Sequence, residues 1–230
     1  METFHADLIR DHFVITDNGR RVFLDTGCPF IITEENQDRI PFGRLFLADT
    51  RRNVSPDIAE FRGMAYFAQH KIVLDYQNAL VVVADPGENI PMDTVAEFTL
   101  QENRDPRFPP NAAGIDRVIF TMNIGGTDRK MIFDTGASIT DYIRESIAKT
   151  GPYFDTIRDF NPHLGEYSVD RHALPVQIGN DIFDIPFGIQ PAQVDAEVSS
   201  VGAAGVIGVG LYKKYKVLVD LQGRKMVIGR

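Results

Sequence analysis

The chain has 230 residues, 43% of them hydrophobic, and a formal net charge of −8 at pH 7. That acidic balance argues against nucleic acid or an anionic membrane surface as the main partner. The single cysteine excludes an internal disulfide, no stretch has the length of an apolar membrane span, and the length suits two small units around a shared cleft.

In chain order, Phe13-Val14-Ile15, a polar turn at residues 16–21 and Val22-Phe23-Leu24 read as a β-hairpin. It runs straight into Asp25-Thr26-Gly27, followed by Cys28-Pro29-Phe30. A glycine at Gly63 opens a short helix-like turn, then Lys71, three apolar residues and Asp75, and a last strand over Ala79 to Val83. Asp85-Pro86-Gly87 to about Pro91 closes this first unit, which sets the expected boundary: residues 1–90 and 91–230. Val95 to Gln101 reads as a strand and Glu102 to Ala113, with three prolines, as a loop. Val118 to Ile124, a Gly125-Gly126 turn and Met131-Ile132-Phe133 form a second hairpin, which runs into Asp134-Thr135-Gly136. Thr140-Asp141 to Lys149 reads as a short helix, with Thr140 or Asp141 as its cap and Gly151 as its stop. Leu174 to Ile178, a Gly179-Asn180 turn and Ile182 to Ile185 read as a third hairpin. Near the end Gly208, a turn with an aromatic, Lys216, three apolar residues and Asp220 repeat the block that began at Gly63.

Two matching blocks in the same order indicate duplication of one β-rich unit. The two aspartates of the triplets are 109 positions apart. The second copy carries about 36 extra residues between its aspartate and its matching glycine. A carboxylate placed directly after a buried strand is costly unless it has work to do. Two of them suggest a face-to-face pair that shares a proton, and so water-mediated hydrolysis. Asp75 and Asp220 also follow apolar strands, at positions that end a strand, and read as hairpin-turn residues.

The run Ile132 to Ser138, apolar-apolar-Asp-Thr-Gly-Ala-Ser, with Val206-Ile207-Gly208 downstream, resembles the aspartic proteases, and the second copy is most similar to the retropepsin branch. The resemblance implies a mainly β, two-lobed acid-protease fold, each lobe a small β-barrel, with a few short helices and an active-site cleft between lobes. It implies an aspartic endopeptidase with Asp25 and Asp134 as the dyad, Thr26 and Thr135 bonded across the interface, and Gly27 and Gly136 leaving room for substrate. Substrate would be a peptide or protein, and neither metal nor cofactor is implied. Tyr167, in the extra segment of the second copy, is the flap candidate. The first copy departs from the pattern: Cys28-Pro29 follows its triplet, Phe61-Arg62-Gly63 has a charge in place of an aliphatic, and the interval for a flap is short. Such a lobe is either trimmed but catalytic or degenerate. The rival reading is therefore a weak or inactive relative that binds peptides or a protein partner.

The expected state is a monomer. The alternative is a homodimer in which two Asp134 sites meet. The position three after each aspartate, Cys28 or Ala137, supplies no strong hydroxyl donor to the carboxylate, so the pH optimum is expected nearer about 5–7 than about 2–4. Cys28 as a nucleophile needs a paired histidine, and no motif ties His12 or His70 to it. His163, Glu166, Asp170 and His172 fit no zinc spacing. The Gly205 to Gly210 run lacks the dinucleotide-loop order. The single cysteine and a non-apolar stretch at residues 1–13 favour the cytoplasm; removal of a leader would instead place the protein in a secreted or periplasmic setting.

Overall fold

A computed structural model describes the chain except residues 107, 109 and 162–164. The first half holds β1 (Glu2–Ile9), β2 (His12–Asp17), β3 (Arg20–Leu24), β4 (Ile31–Thr33), a 3-10 turn (Gln37–Arg39), α1 (Gly43–Asn53), β5 (Ile58–Arg62), α2 (Met64–Phe67), β6 (Lys71–Asp75) and β7 (Leu80–Ala84). The second holds β8 (Thr94–Thr99), β9 (Val118–Ile124), β10 (Thr127–Phe133), β11 (Asp141–Ile143), α3 (Glu145–Ala148), β12 (Tyr153–Asn161), β13 (Gly165–Ile178), β14 (Asp181–Ile189), α4 (Ala192–Ser200), β15 (Gly205–Ile207), α5 (Val209–Tyr212), β16 (Lys216–Asp220) and β17 (Lys225–Gly229). The protein is mainly β with a few short helices, as expected. Among the described residues no helix is long and apolar enough to cross a membrane.

The strands form two sheets, one ordered β4-β5-β3-β2-β1-β7-β6-β16-β17-β8 and the other β12-β13-β14-β11-β15-β10-β9. Both hairpins before the triplets are present. Asn18 and Gly19 turn the first with φ of 48° and 75°, and Gly125 and Gly126 the second with 61° and 75°. Those left-handed pairs match the twist of the flanking strands. The duplication appears in the pairing itself. β3 runs parallel to β5 and β10 parallel to β15, while β4 and β11 lie antiparallel on the far side of those partners.

The copies join where β6 meets β16, with Val73 opposite Leu218 and Leu74 opposite Val217. Lys71 lies 3.4 Å from Asp220 and Lys216 3.2 Å from Asp75, each pair crossing the join in the opposite sense. Asp75 accepts from the Asn78 amide at 3.1 Å and Asp220 from Gly223 at 2.8 Å, so both are turn residues, as read from the sequence. One apolar cluster spans the join, with Phe13, Leu24 and Leu74 packed together with Phe133, Ile207 and Val217.

The 140–149 segment differs from expectation. Asp141 to Ile143 is strand β11, because Tyr142 and Ile143 pair with Val206 and Gly205, and helix starts only at Glu145. Sheet pairing here outweighs a cap-like sequence. In the interval where the first copy could have carried a flap hairpin it carries α1. The second copy has the β12–β13 hairpin and β14 in its extra residues.

Candidate active site

Each Asp-Thr-Gly leaves its strand without losing the neighbouring one. The Asp25 amide donates to the Arg62 carbonyl at 3.1 Å, and the Asp134 amide to that of Ile207 at 2.9 Å. The chain then turns back sharply. Gly27 N–H donates to Asp25 Oδ1 at 2.7 Å and Gly136 N–H to Asp134 Oδ1 at 2.8 Å, which fixes both carboxyl planes. Gly63 and Gly208 lie beneath the loops. A Cβ on either would come 2.1 Å from a loop carbonyl, that of Cys28 or of Asp134, so both positions require glycine.

The two threonines bind the loops to each other. Thr26 N–H donates to Thr135 Oγ1 at 3.1 Å, and Thr135 N–H to Thr26 Oγ1 at 3.0 Å. Thr26 Oγ1 donates to the Phe133 carbonyl and Thr135 Oγ1 to that of Leu24, both at 3.0 Å. Both threonines are fully buried. Each hydroxyl thus serves once as acceptor and once as donor across the join.

This brings Asp25 and Asp134 together, 109 positions apart in the chain. Each carboxyl faces the other copy's loop. A Cβ on Gly27 would lie 2.4 Å from Asp134 Oδ2, and one on Gly136 2.9 Å from Asp25 Oδ1. Burial, then the charge of Asp134 and its hydrogen bond, push the Asp25 carboxyl well above its ordinary value. This favours the protonated form of Asp25.

The dyad lies in a cleft of about 320 Å³. Phe23 and Ile132, each two residues before its aspartate, line it, as do Phe61 and Val206 from the neighbouring strands. Tyr167 also lines it, and its hydroxyl lies 2.9 Å from that of Tyr142, which in turn donates to Asp159 on β12. Burial pushes the Tyr167 phenol up to about 12. Tyr167 is therefore a wall residue tied down by Tyr142. Leu164, three residues before the flap candidate Tyr167, and His163 lie outside the described residues.

Cys28 is buried, and its thiol points to the Phe30 carbonyl at 3.9 Å. Burial and the Asp25 charge push that thiol well up, so it stays protonated and unreactive. His12 also lines the cleft, with its ring 5.1 Å from that of Phe23. Burial holds its imidazole below the ordinary value, against the pull of the Ile9 and Gly136 carbonyls and of Asp134. His70 packs on Tyr66. Arg62, the charge that departs from the family pattern, is ion-paired to Asp17 and Glu60, both at 2.6 Å, and the glycine after it keeps its place.

Sequence reasoning missed Asp141 as a support for the site. It accepts from Gly208 N–H at 2.6 Å and Gly210 N–H at 2.9 Å, which holds the strand end that receives the Asp134 amide. Burial pushes its carboxyl up to about 7, against those two hydrogen bonds. The folded protein thus holds this proton more tightly than the unfolded chain. The resulting stabilisation is complete below a pH of about 4 and is lost as pH rises through about 7, roughly 4 kcal/mol in all. The Tm is expected to fall between about pH 4 and pH 7, and to fall less in Asp141→Asn. Parallel curves for the two proteins would assign the dependence to other groups.

No model of a known protein family matches the chain, and no curated protein is significantly similar to it.

Proposed function

We propose that the chain is an aspartic endopeptidase: a single-chain pair of retropepsin-like lobes, residues 1–90 and 91–230, with Asp25 and Asp134 as its dyad. The observation that carries this reading is the reciprocal threonine bonding, which sets two Asp-Thr-Gly loops face to face at the floor of a cleft. A water held between the carboxyls gives a proton to the ionised partner, and its oxygen attacks the scissile carbonyl. The protonated partner donates to the oxygen on which negative charge develops. A proton then passes to the departing amine as the C–N bond breaks. The peptide lies extended in the cleft, between the β12–β13 hairpin and α1.

A mixed peptide library assayed from about pH 3 to pH 8, with pepstatin as a competitor, tests the proposal. Cleavage that pepstatin blocks is the expected result. A folded protein that binds the same peptides and never cuts them would be the binding module instead.

The pH profile should be bell-shaped. The acid limb reports a second proton entering the pair, and the alkaline limb the loss of the shared one. The raised Asp25 moves the alkaline limb upward, and neither Cys28 nor Ala137 supplies a hydroxyl to pull it down. The maximum of kcat/KM is expected at about pH 5–7. A maximum below about pH 3 would refute this assignment.

A further inference from the structure

The two sides of the dyad have corresponding walls with different chemistry. Phe23 and Phe61 are register partners on β3 and β5; Ile132 and Val206 are partners at the same positions on β10 and β15. A helix completes each wall, α1 before β5 and α4 before β15. Phe46, Asp49 and Thr50 line the cleft from α1; Val194, Glu197 and Val198 line it from α4. The acidic residue falls three positions after the first apolar one in both helices. Glu197 is exposed, so the α4 wall presents an aliphatic surface with a solvated carboxylate at its rim. Asp49 is only 5% exposed.

The surroundings of Asp49 leave it incompletely satisfied. Its Oδ2 is buried and has no hydrogen-bond partner among the described residues. Its Oδ1 lies 3.5 Å from Arg52 Nη1, on a side chain that is 73% exposed. Its neighbours bond elsewhere, Thr50 Oγ1 to the Phe46 carbonyl and Asn53 Nδ2 to the backbone carbonyl of Asp49 itself. A buried carboxylate oxygen with no donor costs free energy that a cation entering from the cleft would recover. The wall beside it is aromatic: the Phe61 ring lies 4.9 Å from that of Phe23 and 6.2 Å from that of Phe46.

We propose that the pocket walled by Phe23, Phe61 and α1 takes a lysine or arginine side chain of the peptide, next to the scissile bond, with Asp49 receiving its cation. The methylene stem lies along the phenylalanine rings and the charged end reaches the free oxygen. The pocket across the dyad, built on Ile132, Val206 and α4, takes an aliphatic side chain. This assignment rests on the endopeptidase reading for its register against the scissile bond. Asp49 is then a specificity-determining residue, and the duplication yields one basic and one aliphatic pocket.

The test uses one peptide sequence with lysine or norleucine at each of the two positions flanking the scissile bond. Cleavage is measured with the wild type, and binding by calorimetry with Asp25→Asn. At one position lysine should exceed norleucine by about 100-fold, in kcat/KM and in Kd alike, the scale of a hydrogen bond to a charged group. In Asp49→Asn that ratio should collapse to within about 3-fold. Equal handling of lysine and norleucine at both positions by the wild type would overturn the proposal, with no variant needed. Selective binding without cleavage would keep the pocket and remove the endopeptidase reading. Cleavage without selectivity would do the reverse.

Discussion

Asparagine at position 25 or at position 134 is expected to lower peptide cleavage by about 10³–10⁴-fold, the scale of one lost general acid or base. An amide can still accept the hydrogen bond that Gly27 or Gly136 donates, so the loop geometry is retained. What is lost is the proton shared across the pair. The two variants should therefore be equally impaired, and combining them should cost little more, because the carboxyls act as one unit. The first copy is where the outcome is least constrained by sequence, since Cys28-Pro29 and Arg62 depart from the family pattern. The geometry gives the Asp25 loop the same amide, threonine and glycine contacts as its counterpart. Full activity in Asp25→Asn, together with a dimer mass in solution, would move the site to a junction between two Asp134 loops and make the first copy a scaffold.

Removing one hydroxyl from the threonine pair is expected to have the next largest effect. In Thr26→Val the shape is kept, but Thr135 N–H loses its acceptor and the Phe133 carbonyl its donor. Both groups are buried on the opposite copy, and leaving them unsatisfied costs about 2–5 kcal/mol. Thr135→Val leaves Thr26 N–H and the Leu24 carbonyl in the same position. Activity should fall as well, because the distance between the carboxyls is set through these bonds and a small displacement is costly to proton transfer. Serine keeps the hydroxyl and should restore most of both properties. Chemical denaturation and kcat measured on the valine and serine variants separate this from a simple packing loss. Valine variants as stable as the wild type would show that the join is held elsewhere.

The legible part of the molecule was the part written in short, repeated patterns. The doubled triplet, the hairpins before it, Gly63 and Gly208, and the Lys-to-Asp blocks all occupy corresponding places because each is a local signal of strand, turn or close approach. The helices that line the cleft were not legible. α1 starts after Phe42, whose φ is 60°, and α4 starts after Pro191, and neither has a side-chain cap. Asp141 carried a misleading one, since a polar residue before an apolar run reads as a cap for its own helix, whereas its carboxyl caps the turn after Gly208. Tyr167, read from the sequence as a flap candidate, lines the cleft, but its bond to Tyr142 depends on a register between β11 and the hairpin that no local pattern encodes. Pocket chemistry was hidden for the same reason: Asp49 is buried on α1, which packs against β5, the strand beside the Asp25 loop.

The paired lysines and aspartates across β6 and β16 have a consequence for how such a cleft changes over time. A site made by two copies of one gene product changes on both sides whenever one codon changes, and its assembly depends on how much protein is present. Here Lys71–Asp220 and Lys216–Asp75 fasten halves that are separately encoded yet covalently continuous. In the proposed single-chain site, assembly of the cleft is unimolecular and insensitive to dilution. Each half is also free to drift alone, so an aromatic, acidic wall can face an aliphatic one across the same pair of carboxyls.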